Sequence, residues 1–485
     1  MTPKLTLNIR QPTNKAGQAV KAAAKRKQAA TETMDEAWQR IMTMKNSDID
    51  KRRLDEVKQA MDSGKIGREK ECAGKRFSKA EALRLWRVLQ AKQREEILRK
   101  MVENTPDNYW LITDEATLDD FIAITENEQE IVFDVETTGV NIREDYIVGH
   151  VITAIKADIH AYIPTKHQTT EKQLPNKLVI EKLKPIYEDE SIGKLAHNAK
   201  FDIHMLEQDG VNLRGLTWDT QEAMRMLNEN EKSFALKNLV TKYLRIQSQT
   251  YDELFGKAGF DEVSDLRVAL AYAAKDGDIT RKLRDFQRQQ LSKMPTILGY
   301  YETIEVPLIS VVQRMESTGF DIDLEYAEKY GKELKSEIDQ LHNKLISELG
   351  DININSHVQL KPALERVTKE TLESTDAKRV LKPLANKHRV IKDLLAYKEK
   401  HKLYSTYINA LPELINKKTG KLYTNFNQNG AKTGRFSSGG SGVNLQNQPY
   451  EARKLFVAPK GYAILGGDWS QQEYRALAYF SQEPK

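Results

Sequence analysis

Residues 131–139 read I-V-F-D-V-E-T-T-G. Three apolar residues followed by alternating polar and apolar ones describe a buried strand whose far end emerges at a surface. Side chains two apart on a strand point the same way, so Asp134 and Glu136 place two carboxylates on one face, where the strand runs out into Thr137, Thr138 and Gly139. That is half a metal site. Two carboxylates so close repel unless a cation or a proton sits between them, and hard divalent ions prefer oxygen ligands. The alternative for an isolated D-x-E is a capping acid and a solvated neighbour at a strand-to-loop turn, so the rest of the chain must decide.

Downstream, two more constellations follow. K-L-A-H-N-A-K-F-D at 194–202 continues a strand through Lys194 to His197 and then opens a helix carrying Phe201, His204, Met205 and Leu206, with Asp202 in its first turns. An acid there also benefits from the helix dipole, the ordinary reason for its presence. A-Y-A-A-K-D-G-D-I-T at 271–280 follows Ser264, a candidate N-cap, and Leu266 and Leu270. Four residues apart on one helix, Tyr272 and Asp276 share a face, a phenol one turn from a carboxylate. The alternative is an amphipathic helix with exposed acids, the reading given to Asp278. Asp, Glu, Asp and then Tyr-x-x-x-Asp, in that order, is the pattern of a two-metal nuclease.

The surrounding texture fits mixed α/β. Tyr109 to Ile112, Ile131 to Val135, Tyr146 to Ala154 and His160 to Ile163 read as strands, with a short acidic helix around Leu118 to Ile124. The 485 residues are enough for about three domains. With 39% hydrophobic and 30% charged residues the composition is that of a water-soluble chain. It holds no run of 18 uncharged apolar residues, and its first residues, M-T-P-K-L-T-L-N-I-R, lack a secretory signal, so a cytoplasmic location (a host's, for a phage protein) and no membrane are expected. The single cysteine, Cys72, excludes a disulfide framework.

Charge is uneven. Residues 1–100 hold 25 Lys and Arg against 13 Asp and Glu, a local +12 that leaves −7 for the remainder of a chain at +5. A basic arm, helical or flexible over Val20 to Ala30 and helical over Ser78 to Met101, follows; its partner is either nucleic-acid phosphate or, equally, solvent or a protein surface. Beyond residue 295, Ile304, Leu308, Val311, Val312 and Met315 fall at helical spacing up to Gly319, and Leu334, Ile338, Leu341, Leu345 and Leu349 stripe a second helix stopping at Gly350. A protruding antiparallel pair is expected. Tyr462 to Leu465 reads as a strand delivering Asp468 to its end.

Two resemblances attach to these words. Residues 109–290 resemble the DEDD-type 3′-to-5′ proofreading exonucleases in their tyrosine-bearing subclass, which implies an α/β ribonuclease H-like domain, a mixed sheet with helices. The resemblance implies two magnesium (or manganese) ions, with Asp134, Glu136 and Asp276 on one and Asp134 and Asp202 on the other, Asp202 largely through water. Tyr272 would orient the attacking water, and Thr137 and Asn198 would contact the 3′-terminal nucleotide of a single strand. Farther on, I-N-S-H-V-Q-L at 354–360, Y-K-E-K-H-K-L-Y-S-T-Y at 397–407, T-G-K-L-Y-T-N-F-N-Q at 419–428, T-G-R-F-S-S at 433–438, N-L-Q-N-Q-P at 444–449 and G-G-D-W-S-Q-Q-E-Y-R at 466–475 resemble the bacterial repair-type, family A DNA polymerases. That likeness implies a helical thumb and the beginning of an α+β palm.

By the same resemblance Arg435, Asn444 and Gln446 would contact the minor groove at the primer terminus, Asp468 would ligate two polymerase ions, and Glu473 would exclude ribonucleotides. Trp469, Gln472 and Tyr474 depart from the family's Tyr, Ile and Leu, and the glycines of Ser437 to Gly442 also fit a flexible linker. The expected organisation is a basic, mostly helical arm over 1–105, the exonuclease over 106–295, the thumb over 296–430 and an incomplete palm over 431–485. A proofreading, primer-template-binding part of a replicative, phage-like DNA polymerase is expected, completed for nucleotide addition by a second polypeptide or a missing C-terminal half. The rival expectations are a free-standing, RNA-trimming 3′-to-5′ exonuclease and a non-catalytic DNA-binding scaffold half.

Overall fold

The structure, a computed structural model, describes residues 69–72, 75–78, 94–95, 97–439 and 443–482. It forms two compact units that meet in sequence at Ser310 and Val311. Most of the expected basic arm, including Val20 to Ala30, lies outside the described residues. Its described part contains a two-stranded antiparallel hairpin, β1 (Glu69–Cys72) with β2 (Lys75–Ser78), and is helical at 97–103.

The first unit is built on a six-stranded mixed sheet of β3 (Tyr109–Leu111), β4 (Glu130–Thr137), β5 (Ile147–Ala154), β6 (Ile159–Pro164), β7 (Gly193–Ala196) and β8 (Leu216–Asp219). The spatial order is β3-β6-β5-β4-β7-β8. β4 runs antiparallel to β5 and parallel to β7, so the strand carrying Asp134 and Glu136 is central. This is the expected ribonuclease H-like α/β arrangement, a mixed sheet with helices on its faces.

Period-2 alternation divides β4 between two cores. Ile131, Phe133 and Val135 pack with Tyr187, Ile186 and Leu183 of α2 (Asn176–Glu188) and with Phe121 of α1 (Glu115–Thr125). Val132 faces the other way, toward Leu291, Trp218 and Tyr301. Asp134 and Glu136 share the Val132 face, the side crossed by the 26-residue helix α6 (Leu266–Leu291). Burying each such aliphatic or aromatic side chain contributes about 1.5–3 kcal/mol, so a one-residue slip of β4 would exchange both faces at once. The burial pattern thereby fixes where the acids point.

α6 begins on Asp265, whose side chain accepts from the Arg267 N–H, one residue beyond the expected Ser264. It crosses the sheet closely at Gly277, where a Cβ would lie 2.5 Å from Thr153 Oγ1 of β5. Only glycine fits there without pushing the helix away. Because α6 is covered along most of its length, Asp278 is not the exposed acid expected from sequence. It is 8% exposed, and its carboxylate accepts from Lys282 Nζ at 2.6 Å, Arg281 Nη2 at 3.1 Å and Tyr109 Oη at 3.3 Å.

The second unit is mainly helical. The helix with Val311 and Met315, α7 (Val306–Thr318), ends at Gly319, whose φ of +63° suits glycine. α8 (Leu324–Leu349) follows the expected stripe, with Leu334, Ile338, Leu345 and Leu349 buried. Its antiparallel partner is α10 (Arg389–Leu403) rather than the preceding helix, joined by Lys400 to Glu337 at 2.7 Å and by a Lys344–Asp393 ion pair. Helical spacing marks an apolar stripe but does not say which later helix fills it. β10 (Asn425–Asn427) pairs with β11 (Ser437–Gly439), so the first residues of the Gly- and Ser-rich stretch are strand. β12 (Phe456–Val457) pairs with β9 (Asp321–Ile322).

Tyr462 to Leu465 forms no strand. A strand exists through its ladder, and among the described residues none pairs with it; Tyr462, Ile464 and Leu465 are exposed. The segment leads into α11 (Gln472–Ser481), which shows Tyr474, Leu477, Tyr479 and Phe480 to solvent. No helix among the described residues is long and apolar enough to cross a membrane.

Candidate active site

Four elements converge at the C-terminal end of β4. The strand itself brings Asp134 and Glu136, and a bulge between Glu136 and Thr137 breaks its pairing with β5 just there. β7 runs parallel to β4, so the helix that follows it, α3 (Ala199–Gln208), starts at the same end of the sheet and carries Asp202 in its first turn. Asn198 makes the turn between them in the left-handed region, at φ 64°. α6 supplies Tyr272 and Asp276.

Oxygen atoms of Asp134, Glu136 and Asp276 all lie within 4.8 Å of one another. Asp202 is 2% exposed and shares a hydrogen bond with Asp134, whose Oδ1 also accepts from the Val135 N–H at 3.0 Å. The structure therefore brings together all four sequence-predicted acids. Burial pushes the Asp134 carboxyl up to about 6. Burial and then the neighbouring Asp134 hold Glu136 and Asp202 well above the carboxylate range. Three acids resisting ionisation, Asp202 buried and Asp134 and Glu136 half-buried, form a set that a cation would stabilise. All donors are hard carboxylate oxygens, and those of Asp134, Glu136 and Asp276 lie close enough together to face one ion, so the residues fit a divalent cation.

Tyr272 is packed edge-on against Tyr251 and Phe255, at 6.1 and 5.4 Å between ring centroids. Burial first, then Glu136 and Asp134, drive its phenol far above its ordinary range, so it stays protonated. Thr137 Oγ1 donates to the Gly139 carbonyl at 2.7 Å, which ties down the loop leaving β4.

Two participants were missed from sequence. Asp219, 2% exposed at the end of β8, accepts from the Ala199 N–H at 2.7 Å and the Asn198 N–H at 3.3 Å, and from Gln221 and Glu222 at the start of α4 (Thr220–Leu227). One carboxylate thus caps α4 and fixes the turn that aims Asp202. The D-T-Q-E spacing at 219–222 was its legible signal. Lys237, on the single turn α5 (Leu236–Leu239), had no such signal. Its Nζ is ion-paired with Asp276 and stands 4.6 Å from the Tyr272 ring centroid. Burial, helped by Lys275, pulls this lysine down to about 7, while Glu136 and Asp134 oppose that.

In the second unit the predicted contact residues lie on exposed loops. Asn444 Oδ1 accepts from the Gln446 N–H at 3.0 Å, and Gln446 Nε2 donates to the Phe436 carbonyl at 2.9 Å. Arg435 is ion-paired with Glu473 across two largely exposed side chains. Asp468 is exposed, with no second carboxylate of a metal cluster beside it among the described residues.

The comparisons with known proteins agree with this division. Residues 109–292 match the family model described as 3′-5′ exonuclease, and residues 324–485 match DNA polymerase family A. DNA polymerase I of Chloroflexus aurantiacus is 34% identical over 402 residues, covering 78% of this chain and 42% of the relative. Residues 324–485 form a DNA polymerase family A domain. DNA polymerase I of Pseudomonas aeruginosa is another relative, 32% identical over 78% of the chain and 43% of the relative. The chain therefore spans less than half the length of these curated family A relatives. Among solved structures, the POL domain of Pol1 from M. smegmatis in complex with DNA primer-template and dNTP shares the fold, with a TM-score of 0.64 at 24% identity over 77% of this chain and 63% of that one. These family A relatives are bacterial and lend no support to the expected phage origin, split polymerase or second polypeptide.

Proposed function

We propose that the first unit is a metal-dependent 3′-to-5′ proofreading exonuclease acting on single-stranded DNA ends, and that the second grips primer-template as the thumb and palm of a DNA-directed DNA polymerase. The observation that carries the first half is the convergence of Asp134, Glu136 and Asp276 within 4.8 Å, with Asp202 hydrogen-bonded to Asp134. Asp134, Glu136 and Asp276 would hold one magnesium or manganese ion, and Asp134 with Asp202 a second. When bound, such a pair lowers the pKa of an attacking water and neutralises charge at the phosphate and the leaving 3′ oxygen.

The chain's own side chains do the positioning. Tyr272, kept as a neutral phenol, offers a hydrogen bond that orients the water and is a poor general base. Asp219 holds the Asn198 turn, so Asp202 reaches the site on a rigid helix start. Thr137 and Asn198, at the rim, are assigned to the 3′-terminal nucleotide. In the second unit Arg435, Asn444 and Gln446 are assigned to minor-groove edges, whose acceptors look alike in correctly paired steps and so report pairing geometry. Asp468 is assigned to the polymerase ions and Glu473 to sugar discrimination; Arg435 would exchange Glu473 for DNA.

The test is a 5′-labelled single strand incubated with magnesium or manganese. Shortening from the 3′ end, abolished by chelator and by Asp134→Ala, is expected; undiminished cleavage by that variant overturns the assignment. RNA of the same sequence, cleaved as fast as DNA, would favour the RNA-trimming alternative.

A further inference from the structure

Lys237 is the one described cation in direct contact with the acid cluster. It is 9% exposed, its Nζ is ion-paired with Asp276, and it lies over the ring of Tyr272. α5 is a single helical turn, and it runs directly into a wide turn at Val240–Leu244 that ends on Arg245 in the left-handed region. The backbone there is held by Leu239 and Val240, which pack against Met224 and Leu283 and so anchor the lysine on α4 and α6. A flexible four-carbon stem with its head in the acid cluster is therefore mounted on a fixed base.

Resting on the metal-dependent reading of the site, we propose that Lys237 is a positioning residue that serves as resident counter-cation: its ammonium holds Asp276 in place before an ion enters, and it must leave Asp276 for that ion to bind. Two cations cannot share one carboxylate oxygen at contact distance without strong mutual repulsion, so ion entry and the Lys237–Asp276 contact exclude each other. Lys237 thus competes with the metal and preorganises the acids for it. Were the ammonium in place about nine-tenths of the time, apparent ion binding would weaken about tenfold.

The experiment measures Mn2+ binding calorimetrically, without DNA, in the whole chain and in its Lys237→Met and Lys237→Gln variants, with thermal melting followed with and without the ion. Both variants are expected to bind Mn2+ about tenfold more tightly, to melt lower than the parent without metal, and to recover most of that loss when saturated. A lysine that only fills space would lower both melting temperatures equally and leave the titration midpoint alone, which overturns the inference, as does weaker binding in the variants. Lys237→Gln keeps the stem's length and serves if Lys237→Met fails to fold. Asp134→Ala separates the two readings: if it removes Mn2+ binding while the Lys237 variants match the parent, only the counter-cation role fails. If neither the parent nor Asp134→Ala binds Mn2+, both readings fail.

Discussion

The two units each present carboxylates suited to metal chemistry, and they hold them in opposite ways. In the first, Asp134, Glu136, Asp202 and Asp276 come from a strand and two helices and are enclosed by aromatic and aliphatic packing. In the second, Asp468 stands in an exposed segment, near Trp469 and ahead of Tyr474 and Phe480. Preorganisation explains the difference. Like charges gathered in a dry site must be forced together by the fold, and the upward shifts at Asp134, Glu136 and Asp202 are the mark of that force.

Deleting one acid from each unit separates the two arrangements most strongly. Asp134→Ala should lower single-strand cleavage by about a thousandfold or more, some 4 kcal/mol of barrier, while Asp468→Ala leaves it unchanged in the same gel assay. An equal loss from both would mean that the acid cluster is not where cleavage occurs. Next, Tyr272→Phe keeps the ring packed against Tyr251 and Phe255 but removes the hydroxyl. About a hundredfold loss in kcat with unaltered Mn2+ binding is expected from rapid-quench and calorimetric measurements.

Asp219→Ala should cost about 2 kcal/mol in urea unfolding of the first unit, because several backbone N–H groups lose a common acceptor, and the second unit gives the control. The pH dependence is a smaller effect and has a definite sign. Asp134 sits at about 6 when folded against an ordinary 3.8, so the folded metal-free protein keeps a proton that the unfolded chain has released. Its contribution to stability is therefore full below pH 3.8 and is lost as pH rises through 6. An entering ion must displace the same proton, so Mn2+ affinity should fall about tenfold per unit below pH 6. Smallest of all, Arg435→Ala removes a solvated pair with Glu473 and should change thermal stability by less than about 1 kcal/mol, although primer-template binding, read by fluorescence anisotropy, should weaken.

Much of the site was legible because it is written in short-range geometry. The i, i+2 spacing of Asp134 and Glu136 and the i, i+4 spacing of Tyr272 and Asp276 follow from the periods of strand and helix. The same periods placed five of the six sheet strands to within a residue or two and found the stripe of α8. Asp278 was misjudged because exposure depends on what lies across α6, here β6 with His160 and β3 with Tyr109. The partner of α8 was misjudged for a related reason, since α10 arrives 40 residues later. Tyr462 to Leu465 has the composition of a strand, but no strand among the described residues pairs with it.

By itself, then, the sequence determined which residue types alternate, which elements they form and which family words they spell, all matters of neighbours a few positions apart. Tertiary structure alone decided that Asp202 meets Asp134, that Asp219 fixes the turn between them, and that Lys237 enters the acid cluster. Those contacts join residues tens of positions apart, and their energy exists only once the sheet order and the crossing of α6 at Gly277 have closed the site.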